Sequence, residues 1–156
     1  MINKLNKTTV ISGFPGVGKS YFTKQLANRG DKIVLDSDSS EFSWLEPGVR
    51  HPDFPTNYIE HIKANLQTAD IIFVSSHKVV RDALRVAGVD YTLVYPHKSL
   101  KDEYKRRYEA RGSDTKFIQM IDKNWDSFID EIESELFPRL VKLYEGETLA
   151  DLIVLD

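Results

Sequence analysis

The 156-residue chain contains no cysteine. That excludes a disulfide scaffold, a thiolate nucleophile and cysteine-ligated zinc, and it accords with a reducing compartment. No apolar run approaches the roughly 20 residues that a membrane-spanning helix needs, and the opening MINKLNK is too polar for a secretory leader. No membrane partner is therefore expected, and the expected location is cytoplasmic. Positive charge is not in excess either: 21 Lys and Arg against 24 Asp and Glu give a net charge of −3, which leaves no global field to draw the chain onto a nucleic acid. The four histidines, His51, His61, His77 and His97, show no metal-ligand spacing. Repeats, low-complexity segments and linkers are missing too. What is left, 41% hydrophobic and 29% charged residues, is the balance of one globular domain over residues 1–156.

Five short β-like runs punctuate the chain: TTVIS (8–12), KIVLDSD (32–38), IIFVSS (71–76), DYTLVYP (90–96) and ADLIVLD (150–156). Continuous apolar runs such as IIFV suit strands buried on both faces, and their alternation with helical spacing predicts an α/β fold, three-layered, around a parallel sheet of about five strands. The first helix is expected over Lys19 to Arg29, ending at Gly30. A second has Thr56 as N-cap, with Tyr58, Ile59, Ile62 and Leu66 inward. A third starts near Ser76, buries Val79, Val80, Ala83, Leu84 and Ala87, and stops at Gly88. Helical pattern then runs from Leu100 to Leu136 with a break at Gly112-Ser113, its second half carrying the stripe Phe117, Ile121, Trp125, Phe128 and Ile132. Pro138 is expected to open a last short helix.

Between the first strand and the first helix stands Gly13-Phe14-Pro15-Gly16-Val17-Gly18-Lys19-Ser20, which fits G-x-x-x-x-G-K-[ST] throughout. Glycines at these places let backbone N–H groups converge on phosphate oxygens, and the following helix N-terminus adds partial positive charge. Lys19 is expected to reach the β- and γ-phosphates and Ser20 to ligate Mg2+, with Tyr21 completing the nucleotide-binding stretch. The spacing is not the G-x-G-x-x-G of a dinucleotide fold, and the guanine-specificity pattern N-K-x-D is missing. The third strand ends in Ser75, Ser76 and His77, so the acid that many phosphate-loop proteins carry there is missing as well.

With this loop, an acidic pair (Asp36-Ser37-Asp38) ending the second strand, and LKDEYKRRYEARG after the fourth, the chain resembles the small P-loop kinases, the group of adenylate, shikimate and gluconate kinases. The resemblance implies a P-loop NTPase fold with strand order 2-3-1-4-5 and an ATP- and Mg2+-dependent phosphotransferase. It also implies roles for single residues: Asp36 on the metal side, Asp38 on the acceptor side, residues 39–57 as the acceptor-binding segment, and residues 99–135 as a lid and following helix. Arg107 and Arg111, four apart on one helix, would close over the phosphates as lid arginines do. In the acceptor segment Trp44 offers the largest flat face for stacking a base, with Phe42 and Phe54 nearby; the alternative is that these rings close the core. Arg81, at the start of the helix after the third strand, is a candidate grip for an acceptor phosphate. The expected acceptor is a small molecule, a nucleoside monophosphate in the first reading. The rivals are a hydroxyl on a small metabolite or polynucleotide end, and a nucleotide-binding regulatory module with little turnover.

Overall fold

The β-branched runs of the sequence become the central layer of the fold. The computed structural model describes residues 2–3, 8–30, 32–37 and 40–154. Five strands, Thr9–Gly13 (β1), Val34–Asp36 (β2), Ile71–Val74 (β3), Thr92–Pro96 (β4) and Arg139–Leu143 (β5), form one sheet, all parallel, in the order β2-β3-β1-β4-β5. Every residue of β3 and β4 is buried, the mark of strands covered on both faces. Their connections are helical: Lys19–Arg29 (α1), Thr56–Ala64 (α2), Lys78–Val86 (α3), Lys101–Ala110 (α4) and Thr115–Glu133 (α5). Among the described residues no helix is long and apolar enough to cross a membrane.

The fold class and strand order match the expectation, but the fifth strand does not. It is RLVKL at 139–143, directly after Pro138, where a helix was expected. This is an edge strand, and its Arg139 and Lys142 break up the apolar run that marks a buried one. Of the expected strand at 150–156, Leu149–Asp151 is a short 3-10 turn, Ile153–Val154 pairs in parallel with Ile2–Asn3 in a separate two-stranded ribbon, and 155–156 lie outside the described residues. Two smaller boundaries also move. Thr56 is the first residue of α2, with Pro55 at the cap position. Val79 faces outward at 48% exposed while Val80 and Leu84 are fully buried.

Because β1 lies between β3 and β4, its flanking connections leave in opposite directions, and ligands collect at the carboxyl ends of strands around such a point. Gly13, Asp36 and Val74 end β1, β2 and β3 there. Beneath them Phe22 meets Phe73 edge-on at 5.8 Å, and Phe14 meets Trp125 of α5 at 5.5 Å.

Candidate functional site

The loop from Gly13 to Ser20 leaves β1 and enters α1 at Lys19. Its shape depends on glycine at specific points. Gly16 and Gly18 have φ of +94° and +100°, where a side chain is strained. A Cβ on Gly16 would also lie 3.0 Å from ring carbons of both Tyr104 and Tyr108. The Phe14 N–H donates to the Val94 carbonyl of β4 (2.9 Å), and the Val17 N–H closes a turn on the Phe14 carbonyl (3.2 Å). Phe14 and Val17 are buried. Lys19 Nζ donates to the Gly13 carbonyl at 2.9 Å, so the ammonium lies folded over its own loop. Tyr21 is 59% exposed, its hydroxyl accepting from Gln25 at 2.8 Å.

Ser20 and Asp36 meet at this edge. Ser20 Oγ donates to Asp36 Oδ2 at 3.2 Å, with both residues exposed. The tips of the neighbouring strands are tied by Tyr58 of α2, whose buried hydroxyl donates to the Ser37 carbonyl at 2.6 Å and accepts from the Ser75 N–H at 3.4 Å. Ser37 Oγ lies 3.0 Å from His61 Nε2. Asp38 and Ser39 lie outside the described residues.

The acceptor segment divides. Phe42 packs on Tyr58 and His61 (centroids at 5.1 and 4.7 Å), and Phe54 also packs on Tyr58, so these two rings close the edge of the core. Trp44 does not join them. It sits in a small antiparallel hairpin, Trp44–Glu46 with Val49–Arg50, 38% exposed, one face covered by the Arg50 guanidinium at 4.1 Å.

The three candidate arginines have three different environments. Arg81 is 3% exposed. Its guanidinium pairs with Glu131 and, at 2.8 Å, with Glu135 of the α5 end, while Nε donates to the Ser76 carbonyl at 2.8 Å. The expected grip on an acceptor phosphate is thereby replaced by an ion triad around the buried Arg81 that fastens α3 to the end of α5. Arg107 also points elsewhere than expected. It donates to the Gly16 carbonyl (2.7 Å), to Glu103 (2.9 Å) and to the Glu147 carbonyl (3.3 Å), and it stacks 4.4 Å over Tyr104. Arg111 is exposed, donating to Ser113 Oγ at 3.0 Å, with Tyr108 5.0 Å beneath it.

Sequence reasoning missed Tyr108. Its hydroxyl donates to the Pro15 carbonyl at 2.7 Å, and burial pushes the phenol up from its ordinary value of 10.0, so it stays an O–H donor at neutral pH. The signal was the Tyr104/Tyr108 pair on one helical face, whose destination only the tertiary fold supplies. Also beside the loop is a hollow of about 230 Å³ between Phe14-Pro15, the start of α3 at Ser76 and His77, and the Phe117, Met120 and Phe128 side of α5. Among the described residues no group of three or more His, Asp or Glu converges as a metal cage.

No family model matches the chain. Curated relatives include UPF0200 proteins of Saccharolobus islandicus and Saccharolobus solfataricus, each 31% identical over 125 residues. The match covers 69% of this chain and 66% of each relative, so the chain spans just under two thirds of their length. Their names specify no activity. The chain is thus a distant homologue of the UPF0200 proteins, with a parallel α/β fold compatible with nucleotide binding.

Proposed function

We propose that this chain is an ATP-dependent, Mg2+-requiring phosphotransferase that moves the γ-phosphoryl group to a small acceptor, a nucleoside monophosphate. One observation carries the reading: a complete phosphate-binding loop brought to the same sheet edge as Asp36, with Ser20 Oγ and the Asp36 carboxylate 3.2 Å apart. A hydroxyl beside a carboxylate is a hard-oxygen donor set, which suits Mg2+; that ion keeps several waters and needs few protein ligands. Ser20 and Asp36 would hold it, and it would neutralise charge between the β- and γ-phosphates. Asp36 on β2 thereby stands in for the acid missing after β3. Lys19 exchanges the Gly13 carbonyl for phosphate oxygens. The amides of the loop bind the β-phosphate region, and exposed Arg111 is left as the lid cation.

For the acceptor, the hollow against Phe14-Pro15 supports a ring-bearing molecule. Its volume of about 230 Å³ is small, and its lining of Phe14, Pro15, Phe117 and Phe128 offers apolar faces against which a ring can pack. Asp38 is assigned to the acceptor side by the resemblance alone. The same small volume favours one second reading, transfer to a hydroxyl of a compact metabolite.

A coupled ADP-release assay over nucleoside monophosphates and small hydroxy acids tests both readings. Lys19→Ala should cost on the order of 10² to 10³ in rate, and Asp36→Asn should raise the Mg2+ concentration needed for half-maximal rate. No ADP release with any acceptor would refute the phosphotransferase reading.

A further inference from the structure

Three consecutive carbonyl groups of the phosphate loop accept hydrogen bonds from outside it. The Tyr108 hydroxyl donates to Pro15 at 2.7 Å, the Arg107 guanidinium to Gly16 at 2.7 Å, and the Leu149 N–H to Val17 at 3.0 Å. A peptide group is planar and trans, so the carbonyl of one residue and the N–H of the next point in opposite directions. Anchoring the carbonyls of Pro15, Gly16 and Val17 outward therefore turns the N–H groups of Gly16, Val17 and Gly18 inward. The Val17 N–H closes the turn on the Phe14 carbonyl, and Gly16 and Gly18 on either side of it have the positive φ that anion-binding loops use.

We propose that Arg107 and Tyr108 are positioning residues of this loop: donors on α4 that hold its carbonyl groups outward and so pre-set its amides for phosphate. The proposal rests on reading Gly13–Ser20 as a phosphate loop. Arg107 is suited to the task because it is itself fixed. Glu103 balances its charge at 2.9 Å, the Glu147 carbonyl takes another contact, and the Tyr104 ring lies 4.4 Å beneath. Tyr104 and Tyr108 are fully buried and stand edge-on at 6.3 Å. A guanidinium paired in this way serves as a rigid two-armed donor rather than a cation aimed at substrate. The C-terminal segment joins the same support: the Gly146 N–H meets Glu103 at 3.3 Å, and Thr148 stands 3.4 Å from where a Cβ on Gly18 would lie.

The test compares wild type with Tyr108→Phe, which removes a single oxygen, and with Arg107→Ala and Arg107→Lys. Amide hydrogen exchange is followed by NMR at Val17 and Leu149 in the ligand-free protein, and MgADP, MgATP and inorganic triphosphate are titrated. Exchange at Val17 should quicken about tenfold in Tyr108→Phe and Arg107→Ala, and triphosphate and nucleotide should bind about tenfold more weakly. Acceptor KM should hold steady while nucleotide KM rises, and Arg107→Lys should recover part of the loss. Unchanged exchange overturns the clasp. Faster exchange with undiminished triphosphate affinity overturns the positioning role. Nucleotide and acceptor weakened alike, with a large fall in thermal midpoint, would make the contacts merely structural and overturn it as well. Should wild type bind neither nucleotide nor triphosphate, the phosphate-loop reading itself falls and takes the positioning role with it; the ligand-free exchange data tell this case from the others.

Discussion

Replacing Arg81 with methionine keeps an unbranched apolar stem, shorter than the arginine side chain, and removes its charge and five donors. The structure assigns the consequence to folding rather than to substrate. Breaking a buried ion pair by removing one partner costs about 3–5 kcal/mol. Here the partners are unequal: Glu131 is 40% exposed at its side chain and can rehydrate, whereas Glu135 is 14% exposed and cannot do so fully. The Ser76 carbonyl also loses its donor. The low end of the range applies, about 3 kcal/mol near neutral pH. For a domain of this size that is a fall of about 6–12 °C in thermal midpoint. Adding Glu135→Gln should restore part of the loss, since the abandoned charge is then gone. Thermal melts near neutral pH read the stability, and acceptor KM on the folded protein reads the rival role. An unchanged midpoint with a selectively raised acceptor KM would refute the structural role of the triad and return Arg81 to the phosphate.

Trp44→Ala should lower the midpoint by no more than a few degrees, because the indole stands outside the core; if it stacks a base, acceptor affinity falls by about 1–3 kcal/mol with ATP affinity unchanged. Loss of both substrates with a drop above about 10 °C would refute that placement. Glu133 accepts from Lys142 at 2.8 Å and from the Tyr95 hydroxyl at 2.9 Å, and these bonds, Lys142 first, hold its carboxyl below the ordinary value of 4.5. A carboxyl depressed in the folded state stabilises above its unfolded value and loses that contribution as pH falls through the folded one. Glu133→Gln should therefore cost a few tenths to about 1 kcal/mol at pH 7, and the difference should shrink as the pH falls below 4.5 and vanish once it is below the depressed folded value; urea titrations over a series of pH values check it.

What could be read ahead of the structure follows the range of the forces involved. The strand-loop-helix turn over Gly13–Ser20 was legible because its demands are local: glycine where φ is positive, lysine and serine at the first helical turn. The position of Asp36 beside Ser20 was legible because parallel strands end at one edge. β3 and β4 announce themselves as unbroken apolar runs, whereas β5 carries Arg139 and Lys142 and follows a proline that equally suits a helix start. ADLIVLD, more apolar, drew the strand assignment to itself. Arg81 and Arg107 were visible as cations, and Glu103 one helical turn before Arg107 as a local partner, but their distant partners were not. Their acceptors lie 50 and 54 residues away for Arg81 and 91 for the Gly16 carbonyl, and nothing in local spacing distinguishes a guanidinium facing a phosphate from one facing a backbone oxygen. Trp44 and Phe42 show the same limit, two residues apart, one outward and one inward.

The long reach of those contacts sets an order of events during synthesis. The Pro15 carbonyl waits for a hydroxyl made 93 residues later. At ribosomal rates of about 5–20 residues per second, that is a delay of about 5–19 s. Through this interval the nascent loop has its glycines but neither the tyrosine wall behind Gly16 nor the donors that orient its amides. On the proposed reading of the loop, affinity for phosphate should therefore arise late and together with α4, and a nucleotide bound there would act as a ligand of the finished fold, drawing the last segments into place by mass action.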